Sequence, residues 1–504
     1  MRLQHLFVVA ALLAATSAQA SVQISSNPTH NMDCSDGVCT PTAKNADLNA
    51  TDLANMLAAS DVKVVTGSGA VTITVSAPFS WTSSHRLTLD AKLNVSFRAP
   101  VEVAGQGAVT IVTKHGRTGG DLLFFPGGKI DFWDTGATFV FNGTSCVLVN
   151  DIASIAAAYA ANNFAALALA KDYDAGPDGT YHTSAVPTPM DGMFEGLGHT
   201  ISNFSASAED RQIGFFASSG ALSDSSVIRD LTLSNANVTG GADSLTGAVV
   251  GQFLGTITNA HSSGIVSAGS HSLVGGLAGG ARIIFNSDSS AAVACTKRCG
   301  AGGLSGAGGQ ITLSHASGTV TVGNRSWAGG LVADLGADSI SQSYSTGDVV
   351  SQDSDQSRLG GLAGGVIQNS TISDSYALGA IHNQGLSSLG GLIGYAQANT
   401  VNTSYAAGTV GSETASPSTA RYAGGFVGFA DFPQDYHNAY WDVDSSGTGV
   451  ACGRRRPRDG CHDIQGLSDA QLKSGLPAGF SPSIWAQNPN INNGYPYLLA
   501  NQPQ

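Results

Sequence analysis

Charge is scarce in this sequence: only 12% of its 504 residues are Asp, Glu, Lys or Arg, about half of the ~25% usual for soluble domains. What charge there is sums to −13, which excludes a nucleic-acid partner held by a global basic field. No CxxC pair occurs, and the one histidine at ligand spacing to a cysteine is His462 beside Cys461, so a cysteine-held zinc is not expected. HExxH is missing, as is a glycine loop ending in GK[ST], which removes a zinc-protease helix and a nucleotide phosphate loop. No Gly-x-Ser-x-Gly elbow leads into a hydrolase-like helix. Long apolar runs are also lacking. Leu6 to Ala15 is too short to span a bilayer, and the Ala-rich stretch from Asp151 to Ala170 is interrupted by Asn162 and Asn163.

The residues that are present favour strands and turns. Glycine is abundant, at 64 of 504 residues, and Ser, Thr, Asn, Ala and Val fill the place of charge, a composition suited to strands and turns rather than helix bundles. At the start, Arg2 and His5 precede the apolar run, and Ala18-Gln19-Ala20 offers a small-x-small cleavage site. This reads as a secretory signal peptide over 1–20, with a mature chain from near Ser21 that is exported and has no transmembrane segment. Export makes disulfides plausible for three close pairs, Cys34 with Cys39, Cys295 with Cys299, and Cys452 with Cys461. Cys146 is left over, and a buried thiol is expected there.

Glycine pairs recur at Gly275-Gly276, Gly302-Gly303, Gly329-Gly330, Gly360-Gly361, Gly390-Gly391 and Gly424-Gly425. A second half-motif keeps step with them: AHSSG, SHASG, SYSTG, SYALG and SYAAG. Such spacing marks a solenoid, because each unit is too short to bury a core alone and must stack on its neighbours. Within a unit the apolar residues alternate, as in STISDSYALGAI, which reads as short strands. No 3.6-residue apolar stripe supports a helical repeat. The expected fold is therefore all-β, a right-handed parallel β-helix with short helical insertions and a C-terminal cap, its coils about 4.8 Å apart.

That fold assigns roles. The paired glycines would supply positive φ or close backbone approach at a recurring corner. Leu277, Leu304, Leu331, Leu362, Leu392 and Phe426 would stack inward. Tyr344, Tyr376 and Tyr405, with His261 and His315 in equivalent places, would form a second internal column. Along the chain, 21–62 would hold a Cys-clipped loop and a short helix, DLANMLAASD, capped by Thr51 or Asp52. First coils would occupy 63–209 with a helical insertion near 151–161, repeat coils 210–432, and a capping segment 433–504. In that last segment Ser468 and Gln471 form a capping box.

GGLxG followed by a strand and S-Y-x-x-G-x-V closely resembles the Glug repeat of bacterial surface proteins. DGMFEGLGHTISNFSAS (Asp191 to Ser207) resembles the segment that commonly precedes such repeats, and NAYWDVDSSGTG with GLSDAQLKSGLPAGF and NNGYPYLLAN resembles the one that closes them. Upstream, MDCSDGVCTPTAKNADLNATDLANMLAASDVKVVTG and SWTSSHRLTLDA are similar to passenger regions of filamentous-haemagglutinin-like exoproteins. The resemblance implies a secreted or cell-surface β-helical scaffold of a bacterium, adhesin-like or structural, that mediates attachment to host or matrix glycans or other cell surfaces. It also implies an outer-membrane secretion partner, although only about ten residues separate Ser21 from the passenger-like stretch. Periplasmic residence is the alternative.

Chemistry is harder to find. A polysaccharide lyase or hydrolase is the competing reading, and it needs carboxylates converging from neighbouring coils. The acids of the repeat region, Asp288, Asp334, Asp338, Asp348, Asp353, Asp355, Asp374 and Glu413, share no single repeat column and read as solvated turn residues. DVDSSG (Asp442 to Gly447) opens like a calcium loop, but position twelve is Gly453 where a bidentate Glu is required. A structural turn is expected, with no metal or cofactor. GRRRPRDG between Cys452 and Cys461 sets Arg454, Arg455, Arg456 and Arg458 on a clipped loop, a candidate dock for sulfated or acidic glycans or lipopolysaccharide phosphates; a solvated hairpin tip is the simpler reading.

Overall fold

The computed structural model describes residues 20–113, 120–220, 225–352, 355–383, 385–411, 422–431, 434–456 and 461–503. Residues 1–19 of the expected signal peptide, Asp353, Glu413 and Arg458 lie outside these residues. The chain is a nearly all-β parallel β-helix that divides into two compact units.

The first unit takes in the described residues within 1–155, 165–173 and 193–200. Its largest open sheet orders the strands Leu122–Phe124, Val95–Phe97, Thr72–Val75, Ser21–Ser25 and Asn45–Asn49, every pair parallel. Parallel pairing thus starts at Ser21, ahead of the loop and helix expected for the N-terminal segment. Alternation buries Val22, Ile24, Leu48, Ile73, Val75, Val95 and Phe97 in one core, as the period of two along a strand requires. The first helix, Ala50–Ala59, buries Leu53 and Leu57. Its cap is Asn49, whose side chain accepts from the amides of Thr51 and Asp52; the two expected caps are instead the donors one turn in. A second helix spans Ile152–Ala161. Disulfides join Cys34 to Cys39, Cys295 to Cys299 and Cys452 to Cys461, and Cys146 is buried outside these three bonds.

The second unit takes in the described residues within 156–164, 174–192 and 201–504. One of its faces is an eight-stranded sheet that runs in sequence order from Gln212–Ile213 through Trp327–Gly329, Asp355–Gly360 and Leu386–Gly390 to Tyr422–Gly424. The corner that follows carries the glycine pairs. Leu277, Leu304, Leu331, Leu362, Leu392 and Phe426 are each 0% exposed, and their backbones pair in turn, Leu331 N–H to Leu362 O and Leu362 N–H to Leu392 O at 2.9 Å. Each such burial contributes about 1.5–3 kcal/mol.

The corner glycines do not adopt positive φ. What requires them is close approach: a Cβ on Gly361 would strike the carbonyl of Gly391 in the next coil and stand 2.9 Å from the Ala377 side chain. Left-handed backbone occurs elsewhere, in a column of non-glycine residues just before the tyrosines: Asn286, Leu313, Gln342, Asp374 and Thr403, with φ of 46°, 52°, 45°, 47° and 48°.

Two serine ladders, unforeseen in the sequence, satisfy backbone at these turns. In one, the amides of Ser287, Ser314, Ser343 and Ser375 donate to the hydroxyls of Ser314, Ser343, Ser375 and Ser404 at 3.1–3.3 Å. In the other, Cys299, Ser326 and Ser357 donate to Ser326, Ser357 and Ser387 at 3.2–3.3 Å. All these serines are at most 2% exposed, where an unpaired amide would cost about 1–3 kcal/mol.

Candidate functional site

The tyrosine column forms, but on the outer side of the coils. Ala377, next in the strand, faces the corner at Gly361, so alternation turns Tyr376 away from it. His315, Tyr344, Tyr376 and Tyr405 are stacked, with centroids 4.6, 4.7 and 5.1 Å apart and rings within 8° of parallel. The C-terminal segment covers them. A short helix, Asp469–Leu472, opens on the Ser468–Gln471 capping box. Trp485 then lies 6.0 Å from both Tyr376 and Tyr405 and donates its indole N–H to Asp374 at 3.1 Å. Tyr405 donates to Pro496 O at 2.7 Å, and the Asn501 amide donates to Ser314 O and Gln342 O at 3.2 and 3.0 Å. This column is therefore a covered, structural surface.

Several expected turn acids have partners in this region. Asp288 occupies the column between His261 and His315 and bonds the His261 imidazole. The Asp442 carboxylate is fully buried; its oxygens accept from the amides of Asp444 and Ser445 at 2.9 and 3.2 Å and from the Tyr495 hydroxyl at 2.9 Å. The DVDSSG stretch is thus a turn tied to the tail. In the first unit, Lys129 pairs with Asp172 at 2.9 Å. There the imidazole of His199, fully buried, meets Asp172 at 3.2 Å and Ile130 O at 2.8 Å. Hydrogen bonds from His199 and Lys129 hold the Asp172 carboxyl far below its ordinary range. Both nitrogens of His199 are engaged, and the cluster locks the GLGHTI turn in place.

The remaining concentration of chemistry lies at the corner beside the glycine pairs. Two columns meet there. Trp327, Arg358, Ser388 and Tyr422 stand two residues before the first glycine of each pair and follow one another in register. Asp334, Gly365, Tyr395, Phe429 and Arg454 form the second, on the strand after the corner. Small residues make room for large ones: a Cβ at Gly365 would collide with the Trp327 indole. The Arg358 guanidinium lies over two neighbouring rings, 4.3 Å from the Trp327 centroid and 3.9 Å from that of Tyr395, with the rings themselves 6.0 Å apart. Arg454 lies 4.8 Å from the Tyr422 ring and 5.4 Å from Phe429, and donates to the Tyr422 hydroxyl. Stacked guanidinium of this kind is worth about 0.5–2 kcal/mol per contact.

Two carboxylates feel the Arg358 charge. Burial pushes Asp334 up to about 6 against the pull of Arg358, and its Oδ1 has no hydrogen-bond partner among the described residues. Asp431 accepts from the Tyr395 hydroxyl at 3.4 Å. Neither forms an ion pair with Arg358 among the described residues. Between Arg358 and the Tyr422–Phe429 rings, whose centroids are 5.5 Å apart, the surface sinks into a depression of about 230 Å³ floored by Ser357, Ser387 and Ser388.

This arrangement corrects the arginine assignment. Arg454, Arg455 and Arg456 stand on the strand Cys452–Arg456, not on a loop, because Val427–Asp431 offers them a parallel ladder. Arg454 joins the aromatic flank. The flank's other members escaped the sequence reading, although aligning the glycine pairs places Trp327, Arg358 and Tyr422 at one offset and Tyr395 and Phe429 at another.

No family model matches the chain. Over 103 residues, 20% of its length, it is 34% identical to halomucin of Haloquadratum walsbyi (strain DSM 16790 / HBSQ001), and it spans only 1% of that protein. Among solved structures, it is similar to a Bacteroides ovatus chain assigned provisionally as an immunoglobulin A1 protease, with 19% identity and a TM-score of 0.33 over 66% of this chain and 85% of the other.

Proposed function

We propose that this chain is an exported, non-enzymatic attachment protein, adhesin-like or structural at a bacterial surface, in which the coils present the aromatic–arginine flank to a partner. The observation that carries the reading is the contrast between the two aromatic surfaces. The tyrosine column is roofed by the chain's own tail, whereas Trp327, Arg358, Tyr422, Phe429 and Arg454 stay half-exposed. Half-buried aromatic and arginine side chains held by a rigid scaffold are what interface hot spots are made of. The Glug-like repeat motif, the filamentous-haemagglutinin-like upstream stretches, the signal-like start and the disulfides support an extracellular setting. Catalysis on a polysaccharide is the competing reading, and its best candidate is the raised-pKa acid Asp334.

The test combines surface labelling of intact cells, with and without the gene, and an attachment assay complemented by wild type or by Trp327→Ala/Tyr422→Ala. Surface labelling with attachment lost in the deletion and in the double variant is expected. A chain confined to the periplasm, with attachment unchanged on deletion, would overturn the reading. Steady release of shortened polysaccharide by the purified protein, abolished in Asp334→Asn, would favour the enzyme.

A further inference from the structure

We propose that the depression between Arg358 and Tyr422 accepts one carboxylated sugar, a uronic-acid residue of an acidic polysaccharide. The inference rests on the attachment reading for its setting and deepens it by naming the ligand class.

Size comes first. A volume of about 230 Å³ equals roughly seven or eight waters at about 30 Å³ each, the scale of one sugar ring rather than of a peptide segment. The lining then selects chemistry. Tyr422 and Phe429 line it with aromatic rings, suited to the C–H face of a pyranose because the aromatic face is electron-rich. Ser388, in register with Arg358 and Tyr422, offers a hydroxyl with donor and acceptor in one side chain, whereas the Ser357 and Ser387 hydroxyls are engaged in the serine ladder. Arg358, Gln356 and Leu386 complete the lining.

Arg358 is what points to a carboxylate. Its guanidinium lies against both Trp327 and Tyr395, so less side-chain freedom remains to be lost on binding. A planar fork of N–H donors held in this way matches the two oxygens of a carboxylate. A uronic acid supplies both features the depression asks for, an apolar ring face and a planar anion. Arg454, 4.8 Å from the centroid of the Tyr422 ring, adds a second positive charge for the next residue of the polymer. Asp334 and Asp431, which interact with Arg358, oppose an anionic ligand locally, while the repulsion from the chain's overall charge of −13 is screened by salt at physiological strength beyond about 8 Å.

The experiment measures binding of the purified full chain to oligosaccharides of polygalacturonate, alginate and hyaluronan, with methyl-esterified polygalacturonate and a neutral glucan as controls. At least one acidic series should bind, esterification should weaken it tenfold or more, and affinity should fall as salt rises. Arg358→Gln should reduce binding ten- to a hundredfold. Ser388→Phe, which fills the depression and leaves Arg358 in place, should reduce it as strongly in a chain whose melting midpoint is unchanged. Equal affinity for the esterified or neutral glycan, full binding by Ser388→Phe, or no binding to any acidic series overturns the proposal. Such a failure leaves the attachment role standing if deletion still abolishes attachment. Acidic-glycan binding by a chain whose deletion leaves attachment unchanged would refute the attachment role and keep the sugar site.

Discussion

Replacing Trp485 with alanine removes the central clamp of the tail. The side chain is 1% exposed, packs on Phe480 at 4.6 Å and on Tyr376 and Tyr405 at 6.0 Å, and donates to Asp374 at 3.1 Å. Truncating a buried Trp to Ala costs about 3–5 kcal/mol, and Asp374 also loses the bond that offsets its burial, so its carboxyl rises further. The coils below keep their own ladders, and stability in a stacked array is local. The loss should therefore fall on the tail. Amide exchange in 468–502 should accelerate about a hundred- to a few-thousandfold, since each 1.4 kcal/mol is a factor of ten, while the Leu331 and Leu362 amides stay protected. A hydrophobic dye should report the uncovered Tyr344, Tyr376 and Tyr405 rings. Trp485→Phe, which keeps a ring and loses the N–H, should show a smaller effect. Unchanged exchange in the tail of Trp485→Ala would refute the idea that Trp485 anchors it, and equal acceleration throughout the coils would refute its independence from them.

Other consequences can be checked alongside. Gly361→Ala should destabilise by about 1–3 kcal/mol or more, because its Cβ meets backbone of the next coil. Gly336→Ala, where the nearest atoms lie at 3.8 Å, should be neutral or mildly stabilising; thermal midpoints that rank the two in the opposite order would refute the close-approach argument. Asp334 carries a pH signature. Its folded carboxyl is raised from 3.8 to about 6, so the stability tied to its neutral form is present below pH 4 and lost as pH rises through 6, a change of up to about 3 kcal/mol. Asp334→Asn should accordingly melt higher than wild type at pH 8 and alike at pH 4, and an equal difference at both pH values would contradict the burial argument. Ser343→Ala should cost about 1–3 kcal/mol by leaving the Ser314 amide without its acceptor, seen as a lower melting midpoint and faster exchange at that amide.

The sequence by itself determined the class of fold. Glycine pairs in step with Ser-x-x-Gly turns, alternating apolar residues and scarce charge admit a parallel β-helix and little else, because units this short bury a core only by stacking. The inward leucines and the Ser468 capping box were legible for the same reason: both are local patterns. Tertiary structure decided what lies on the outer flanks. Alternation says that a tyrosine faces one side or the other of a strand, but whether that side is bare, filled or roofed depends on a segment about a hundred residues away. Only the fold returned Trp485 to Asp374 and Asn501 to Ser314. Likewise, only stacking in register set Arg358 against Trp327 and Tyr395, residues separated in sequence but one coil apart in space. The glycine corner was read correctly as a corner and left open between two causes; the coordinates chose close approach over positive φ, since crowding by the next coil exists only once the coils are stacked.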